Sequence, residues 1–433
     1  MASEGSSGAA GRHRDIGRLR QAVIYLRGLA GRPPGVPVDA AALEARAREL
    51  MSDEAFAYVA GGAGSEATMA ANREAFDRLR LTPRVLRNAE SRDLSVTLFG
   101  RTLPAPILTA PIGVLELAHP DADVAVSRAA ASLGIPMIFS SQASVSMERC
   151  AAVMHGSPHW FQLYWSKSDA LVESFVHRAE SCGCDAIVLT LDTTMLGWRP
   201  RDLDLGSLPF LEGRGIAQYT SDPVFRASLS EPLTDAAGGP RAAVTLSAIL
   251  ALIGGAGRYP GNAIAVILSG EYRRAIQRFI STYSRPSLEW SDLPTLRAMT
   301  KLPIVLKGVL HEDDARRAID AGMDGVIVSN HGGRQVDRSI AALDALSPIV
   351  RAVDGKIPVL FDSGIRTGAD VAVALSLGAT AVCVGRPYVY GLAIAGESGV
   401  HDVLMNILAE LDLTLGLLGC TSIAELRELR AVR

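Results

Sequence analysis

The chain contains few cysteines and no long uninterrupted apolar run, and each shortage excludes a class of protein. Its five cysteines are scattered, and the one close pair, Cys182 and Cys184, has neither CxxC redox spacing nor zinc-ribbon spacing. We therefore expect reduced thiols and no metal site. No stretch reaches the ~18 consecutive apolar residues of a membrane helix, and no signal-peptide pattern opens the chain. These absences predict a cytoplasmic protein.

Excess charge is also missing, and lysine is scarce. The formal net charge is −3 and the sequence pI is about 6.3, so there is no electrostatic reason to expect binding to nucleic acid or to an anionic membrane. Lysine occurs at only four positions. One of them, Lys307, directly follows the apolar run Leu302–Leu306, so general lysine abundance does not explain its place.

From Pro106 onward, short apolar runs alternate with helices that mostly end in a glycine turn. Eight buried parallel strands with intervening helices are typical of a (β/α)8 TIM barrel. A doubly wound sheet is the alternative, but it usually has fewer strands and a Gly-rich first turn, which is not seen here. The candidate strands are Ile107–Ala110, Met137–Phe139, Trp160–Leu163, Ala186–Thr190, Ile304–Leu306, Gly325–Val328, Val359–Phe361 and Ala381–Val384.

The segment before the barrel is predicted to be an N-terminal extension, residues 1–50. Its first part, Met1–Gly11, is Gly/Ser/Ala-rich and predicted to be disordered, and helical spacing follows in Asp15–Leu29 and Val38–Met51. Within the barrel domain, residues 51–433, Glu54–Phe76 has helical patterns interrupted by glycines. Arg92–Leu103 alternates like a hairpin.

One connection is far longer than the others. More than a hundred residues separate the fourth and fifth strands, so residues 204–292 are predicted to be an insertion that forms a lid. Two apolar runs in it, Ala242–Ile253 and Asn262–Leu268, are interpreted as helices that pack on the barrel or on a neighbouring subunit. Little positive charge accompanies them, which disfavours attachment to a membrane surface.

Charged side chains follow two neighbouring strands. Lys307 ends the fifth strand, and His331 and Arg334 follow the sixth. Parallel strands joined by a helix end at the same rim of a sheet or barrel, so these three groups should converge. A cation, an imidazole and a guanidinium on one rim suit an anionic substrate that must lose a proton.

The loops after the last two strands indicate a phosphate site. Asp362–Arg366 follows the seventh strand, and Gly385–Pro387 follows the eighth. Barrels commonly bind phosphate in these two loops through backbone N–H groups and an extra helix N-terminus. Arg366 and Arg386 would add charge-assisted donors.

Long motifs in the chain resemble the FMN-dependent 2-hydroxy acid oxidases and dehydrogenases. The matching segments are YVAGGAGSEAT (Tyr58–Thr68), FQLYW (Phe161–Trp165), TLDTTMLGWRPRDL (Thr190–Leu203), VSNHGGRQVD (Val328–Asp337), FDSGIRTGADV (Phe361–Val371) and VGRPYVYGLA (Val384–Ala393). The resemblance covers about residues 50 to 425. GWRPRDLDL, TSDPVF and APIGV are most similar to the lactate 2-monooxygenase branch.

The resemblance implies a role for each polar group near the strand ends. His331 would be the active-site base, and Asp192 would pair with its imidazole. The substrate carboxylate would be held by Arg334 and Arg199, and its other polar groups by the hydroxyls of Tyr58 and Tyr164. Lys307 would stabilise negative charge at the N1/O2 edge of reduced flavin.

The same resemblance implies that the cofactor is FMN. Its ring would contact the backbone of Pro111, Ile112 and Gly113 and the side chains of Ser140, Gln162, Thr190 and Ser329. Its phosphate would lie against Asp362, Ser363, Gly364, Arg366, Gly385 and Arg386.

The implied reaction is oxidation of a small L-2-hydroxy acid such as lactate. His331 would remove the 2-hydroxyl proton while hydride moves from C2 to flavin N5, with O2 as the expected acceptor. In the monooxygenase branch the 2-oxo acid then stays bound and is oxidatively decarboxylated. Gly113 favours this branch, because many relatives carry alanine there and a missing methyl near N5 would change the space for oxygen.

Two other interpretations remain open. An oxidase or dehydrogenase of a bulkier 2-hydroxy acid would release the 2-oxo acid, and the long insertion favours this by reshaping the pocket. A catalytically silent scaffold barrel is disfavoured because all the expected polar groups occur together. The resemblance also implies a homotetramer or a larger assembly.

Overall fold

The computed structural model describes residues 15–232, 254–257, 259–429 and 431–432. The predicted disordered segment Met1–Gly11 and the apolar run Ala242–Ile253 lie outside the described residues. Within the described ones, no helix is long and apolar enough to cross a membrane. The five cysteines are all described, and none forms a disulfide.

A two-stranded antiparallel hairpin precedes the barrel, as the alternation of Arg92–Leu103 predicts. Its strands are β1 (Val96–Leu98) and β2 (Arg101–Leu103). Phe99 and Gly100 form the turn, both with positive φ (49° and 79°), as a two-residue hairpin of this twist requires.

Eight parallel strands close into a barrel, which confirms the predicted (β/α)8 fold. The closed order is β10-β3-β4-β5-β6-β7-β8-β9. The strands are β3 (Ile107–Thr109), β4 (Met137–Phe139), β5 (His159–Leu163), β6 (Ile187–Thr190), β7 (Ile304–Val309), β8 (Gly325–Val328), β9 (Val359–Phe361) and β10 (Ala381–Val384).

The fifth barrel strand, β7, runs three residues beyond the predicted end at Leu306. Lys307 pairs with Ile327 of β8, and Val309 pairs with Val328, so the register shifts across Gly308. The predicted end of the strand was the last apolar residue of the run, Leu306. The register shift that extends the pairing past Lys307 cannot be seen in the pattern of apolar residues.

The helices that surround and precede the barrel follow the predicted alternation. They are Ile16–Leu29, Ala40–Leu50, Asp53–Ala60, Ala67–Asp77, Ala122–Leu133, Met147–Met154, Asp169–Ser181, Pro200–Asp204, Ala217–Thr220, Pro223–Ser228, Ala263–Leu268, Glu271–Thr282, Leu293–Met299, Glu312–Asp320, Ala342–Val353, Gly368–Ser376, Arg386–Leu417 and Ile423–Leu429. Short 3-10 turns lie at Leu115–Leu117, Pro209–Glu212, Trp290–Asp292 and His331–Gly333.

The barrel interior is apolar at its amino-terminal end. Inward side chains such as Leu108, Ile138 and Val305 form one buried cluster together with Leu98 and Leu103 of the hairpin. Phe99 lies 5.5 Å from Trp160 between ring centroids. The hairpin therefore closes this end of the barrel, and polar side chains are left to the carboxyl ends of the strands.

The N-terminal helix Ile16–Leu29 packs on the long helix Arg386–Leu417. Asp412 of the long helix accepts hydrogen bonds from the Gly17 N–H (2.9 Å) and from Arg92 Nε (2.7 Å). Because both carboxylate oxygens of Asp412 are buried, these donors are what make its burial tolerable.

Candidate active site

A deep cavity opens at the carboxyl ends of the barrel strands, and most of the predicted site residues line it. Each barrel strand contributes a lining residue, either from its carboxyl-terminal part, as β7 does with Lys307, or from the loop that follows, as β6 does with Thr193 and Arg199. The predicted residues in the wall are Tyr58, Pro111, Ile112, Gly113, Ser140, Tyr164, Arg199, Lys307, His331, Arg334, Asp362, Ser363, Gly364, Arg366, Gly385 and Arg386. The other four, Gln162, Thr190, Asp192 and Ser329, contact these wall residues or one another.

The imidazole of His331 is fixed by Asp192. Nδ1 lies 2.7 Å from Asp192 Oδ1, so Nε2 is the ring nitrogen available to the cavity. Burial lowers the pKa of His331, although Asp192 opposes this shift. Burial also works against ionisation of Asp192, but His331 and Lys307 outweigh it and lower the pKa of Asp192 to about 2. The pair therefore combines a neutral imidazole with a permanently charged carboxylate.

The loop that carries His331 has an unusual backbone. His331 has φ 58°, and the two glycines after it also have positive φ, in a region that few residues with a side chain adopt. Ser329 Oγ accepts the His331 N–H (3.0 Å), and Ser363 Oγ accepts the N–H groups of Asn330 (3.2 Å) and Gly332 (3.0 Å). These bonds hold the imidazole over the cavity.

Arg334 and Arg199 bring two guanidinium groups to one side of the cavity. Arg334 donates to the carbonyl oxygens of Tyr58 and Gly61, and its Cζ lies 5.1 Å from the Tyr58 ring centroid. Arg199 donates to the Arg334 carbonyl (3.2 Å) and to Gln335 Oε1 (2.8 Å). Burial and the neighbouring Arg199 lower the pKa of Arg334 to about 9, which is the signature of positive charge that the protein itself does not balance.

The two tyrosines predicted to bind substrate are both buried, at 7% exposure for Tyr58 and 6% for Tyr164. Burial raises the pKa of each hydroxyl, that of Tyr164 to about 12, where Asp192 adds to the effect. Both phenols are therefore neutral hydrogen-bond donors at physiological pH.

Lys307 lies at the top of the apolar barrel interior and is 3% exposed. Its Nζ is 2.9 Å from Asp362 Oδ2 and donates to Ser329 Oγ at 2.9 Å. Burial disfavours the ammonium, but Asp362 and Asp192 outweigh burial and raise the pKa of Lys307. A fixed positive charge therefore lies in the floor of the cavity.

A row of polar side chains continues this floor across β4, β5 and β6. Ser140 Oγ donates to Gln162 Oε1 (3.1 Å), and Gln162 Nε2 donates to Thr190 Oγ1 (3.1 Å). All three residues are buried. Their mutual bonds fix the amide orientation of Gln162, so the row presents a defined pattern of donors and acceptors.

The loops after β9 and β10 carry the predicted phosphate residues. Three of the five N–H groups of a guanidinium are used at Arg386, which donates to the carbonyls of Val59 (3.1 Å), Gly332 (3.0 Å) and Gly61 (2.9 Å). Burial and the neighbouring Arg366 lower the pKa of Arg386 to about 10. Arg386 also begins the long helix Arg386–Leu417, whose N-terminus favours an anion.

Gly113 touches the protein rather than empty space. A Cβ built on it would lie 2.9 Å from both Cβ and the carbonyl oxygen of Gln142. The missing methyl is therefore explained by the close approach of the Gln142 loop. This differs from the sequence-based argument, which assigned the missing methyl to the room available for oxygen.

Several residues at the site were given no role by the sequence analysis, although most of them lie within its motifs. Thr193 Oγ1 donates to Asp192 Oδ1 (2.9 Å) and lies 3.2 Å from His331 Nδ1. Asn330 and Asn72 exchange two side-chain amide hydrogen bonds of 2.8 and 2.7 Å, and Gln335 bonds the loop after β6. Apart from the bond between the neighbours Thr193 and Asp192, these contacts join positions far apart in the chain, so spacing along the sequence does not reveal them.

Two motifs recognised separately in the sequence form one contact. The Ala63 N–H donates to the Gly333 carbonyl at 2.9 Å, and Asp337 accepts from the N–H groups of Ser65 (2.7 Å) and Ala67 (2.9 Å). A Cβ on Gly333 would lie 2.7 Å from the Met69 nitrogen. A Cβ on Gly62 would in turn lie 3.1 Å from the Gly333 carbonyl oxygen, so these two positions are glycine because the two backbones touch.

Comparison with known proteins identifies the family. The profile of the family described as FMN-dependent dehydrogenase matches residues 47–432. The chain belongs to this family. It is 41% identical over 406 residues to the FMN-dependent alpha-hydroxy acid dehydrogenase qulF of Penicillium citrinum, covering 94% of this chain and 93% of that protein.

Two further relatives differ in what their names say they oxidise. The chain is 38% identical over 410 residues to an L-lactate oxidase of Lysinibacillus sphaericus, covering 95% of this chain and 96% of that protein. The crystal structure of a mandelate oxidase with (S)-4-hydroxymandelic acid matches with a TM-score of 0.75 and 36% identity, covering 92% of this chain and 98% of that one.

FMN is the cofactor of this family and of this chain. The cavity suits it, because Arg386 and Arg366 lie at one end and their hydrogen bonds go to neutral carbonyl oxygens. Buried positive charge without a balancing anion is costly, so a phosphate group is the expected occupant of that end. Lys307 and Ser140 line the same cavity, and Gln162 and Thr190 continue the row of hydrogen bonds behind Ser140.

Proposed function

We propose that the protein oxidises an L-2-hydroxy acid at this cavity, with His331 as the base. The observation that carries the proposal is the His331–Asp192 pair facing a cavity that also holds Arg199 and Arg334. A neutral imidazole beside a fixed carboxylate can accept a proton, and two guanidinium groups can hold the carboxylate of the substrate next to it.

Each residue has a defined task in this mechanism. Arg334 and Arg199 bind the substrate carboxylate. The neutral phenols of Tyr58 and Tyr164 donate hydrogen bonds to the substrate. Nε2 of His331 accepts the proton of the 2-hydroxyl group. Asp192, at 2.7 Å from Nδ1, stabilises the imidazolium that forms. When bound, FMN accepts the two electrons of the oxidation, as hydride from C2.

We propose that FMN would be held by residues of the same cavity. Arg366, Arg386 and the Ser363–Gly364 turn would bind its phosphate, and the backbone of Pro111–Gly113, which lines the cavity, would lie against its ring. Lys307, whose positive charge is stabilised by Asp362, would offset negative charge on the flavin ring when FMN is bound and reduced.

For the fate of the product, the first candidate is the lactate 2-monooxygenase reaction with O2 as acceptor. In it, lactate and O2 give acetate, CO2 and water. The support is the resemblance of GWRPRDLDL, TSDPVF and APIGV to that branch. The Gly113 contact with Gln142 removes one argument for this candidate and leaves the motif resemblance.

The second candidate is an oxidase or dehydrogenase of a bulkier 2-hydroxy acid that releases the 2-oxo acid. The segment between β6 and β7 favours it, because it brings Phe210, Phe279 and Tyr283 to the cavity wall together with Leu208 and Ile280. Phe279 packs 5.4 Å from Phe210 and 5.1 Å from Tyr283 between ring centroids. A wall of this size fits an aryl or branched side chain better than the methyl group of lactate. We propose that residues 204–292, which lie within this segment, form the lid.

Two measurements test the proposal. Anaerobic addition of L-lactate, (S)-mandelate and (S)-3-phenyllactate to the yellow protein should bleach the flavin with at least one acid. Aerobic product analysis then separates the candidates, since acetate and CO2 from lactate support the first, and a 2-oxo acid from an aryl substrate supports the second. A colourless protein that neither retains FMN nor acts after FMN is supplied would support the scaffold alternative instead.

We also propose a cytoplasmic homotetramer or larger assembly. The support is the family resemblance of the motifs, which extends over nearly the whole chain. Sedimentation of the FMN-loaded protein at micromolar concentration tests the assembly, and a monomer there would refute it.

A further inference from the structure

Gln335 joins the two loops that carry the proposed base pair and the carboxylate-binding arginine. Its Nε2 donates to the carbonyl oxygens of Asp192 and Met195, both at 2.9 Å. Its Oε1 accepts from Arg199 at 2.8 Å. Both N–H groups and the carbonyl oxygen of the amide are therefore engaged, and all three partners belong to the loop after β6.

The position of Gln335 in the chain gives these bonds their importance. It follows Arg334 directly and lies four residues after His331, in the loop after β8. The Asp192–His331 contact therefore joins the loops after β6 and β8. The hydrogen bonds of Gln335 to the Asp192 and Met195 carbonyls join the same two loops. The same side chain orients Arg199, whose Nε donates to the Arg334 carbonyl at 3.2 Å.

We infer that Gln335 is a positioning residue for the proposed reaction, holding Asp192 against His331 and Arg199 toward the substrate carboxylate. This inference rests on the proposed function. Gln335 is absent from the cavity wall formed by His331 and Arg334, so it acts through other residues. An amide is required, because one side chain must donate to two carbonyls and accept from a guanidinium.

Three substitutions separate this role from simple packing. Gln335→Met keeps the length and removes every hydrogen bond. Gln335→Glu removes both donors and places a carboxylate next to Arg199, where it competes with the substrate carboxylate. Gln218→Met is the matched control, because Gln218 is a buried amide that accepts from the Met147 N–H (3.0 Å) and donates to the Ser140 carbonyl (3.3 Å).

The measurement is kcat and KM as functions of pH in FMN-loaded protein, with binding of the 2-oxo acid product followed by flavin absorbance. Gln335→Met should lower kcat/KM by about 10- to 100-fold, as small misplacements of reacting groups do. The acidic limb of the kcat/KM profile of Gln335→Met should move to lower pH. Asp192 raises the pKa of His331, and it would raise it less when displaced. Gln335→Glu should raise KM and weaken product binding further than Gln335→Met does. Gln218→Met should leave the acidic limb in place.

The inference fails if wild-type protein oxidises a 2-hydroxy acid while Gln335→Met and Gln335→Glu keep the wild-type acidic limb and product affinity. A loss of thermal stability alone, with kinetics unchanged after correction for FMN content, also overturns it. If wild-type protein oxidises none of the acids tested, the proposed function falls and this inference falls with it.

Discussion

Nδ1 of His331 lies 2.7 Å from Oδ1 of Asp192, while the second oxygen of that carboxylate is buried with no hydrogen-bond partner among the described residues. The carboxylate therefore directs its charge at one nitrogen of the imidazole. This contact orients the proposed base and raises its basicity against the effect of burial.

Replacing Asp192 with asparagine should reduce kcat strongly with little effect on shape. The imidazolium that forms during turnover would lose its stabilising charge, and a fall of about 100-fold or more is expected. Asp192 raises the pKa of His331 against the effect of burial, so the acidic limb of kcat/KM should move to lower pH. A pH profile of Asp192→Asn that coincides with wild type after scaling would contradict this assignment.

Arginine at position 334 should not be replaceable by lysine. Arg334 faces the cavity, and its Nη1 alone donates to the carbonyls of Tyr58 and Gly61. The other guanidinium nitrogens are therefore left for the substrate carboxylate, and a lysine has no second nitrogen with which to replace them. Arg334→Lys should raise KM roughly ten-fold or more with a smaller change in kcat. The exposed Arg78, paired with Asp344 at 2.6 Å, provides Arg78→Lys as the control, which should keep the wild-type KM.

Lys307→Met should destabilise the protein by leaving Asp362 buried without its partner. Breaking one side of a buried pair costs about 3–5 kcal/mol, and Lys307 Nζ is 2.9 Å from Asp362 Oδ2. The double variant Lys307→Met/Asp362→Asn should recover most of the loss in chemical denaturation. It should not recover the flavin reduction potential, which is expected to fall because the positive charge is gone. Equal potentials in the double variant and wild type would place Lys307 away from the ring.

Gly113→Ala should disturb the loop at Gln142 rather than simply fill space. The new Cβ would meet Cβ and the carbonyl oxygen of Gln142 at 2.9 Å, closer than carbon atoms approach in well-packed proteins. Weaker FMN binding is therefore expected, measured by release of flavin during dilution. The double variant Gly113→Ala/Gln142→Ala keeps the Gln142 backbone carbonyl, so it should recover affinity only in part. Unchanged FMN affinity in Gly113→Ala would show that the loop moves at no cost.

Asp123 should make stability depend on pH. It is 1% exposed, and burial raises its pKa to about 7, although the Ser144 and Val145 N–H groups oppose the shift. Glu116, Cys150 and Tyr388 are its other titratable neighbours. A raised carboxyl pKa stabilises the folded state below the unfolded value near 4, and this contribution is lost as pH rises through about 7.

Asp123→Asn tests this dependence. The asparagine carbonyl can still accept from Ser144 and Val145, and no charge is buried at high pH. The variant should be more stable than wild type at pH 8 by at most a few kcal/mol, and less different at pH 5. Chemical denaturation at the two pH values measures both differences. Parallel pH profiles of wild type and variant would show that Asp123 does not titrate in this range.

The barrel was predictable because its signals are local. Most strands are short apolar runs after a glycine turn, and polar residues at most strand ends mark the rim. The site residues that the sequence did not reveal, such as Thr193 and Gln335, act through partners more than a hundred positions away. The aromatic residues Phe210 and Phe279 lie between β6 and β7, in the 3-10 turn Pro209–Glu212 and the helix Glu271–Thr282. Helical periodicity indicates which face of such an element is buried, but it does not reveal that the element packs over the cavity.

The contact between the loop at Ala63 and the loop at Gly333 has a consequence for divergence within the family. With the backbones this close, a side chain gained in one loop would need a compensating change in the other at the same time. New substrate preferences should therefore come from substitutions in the segment between β6 and β7, whose side chains contribute to the cavity wall, rather than from the paired loops.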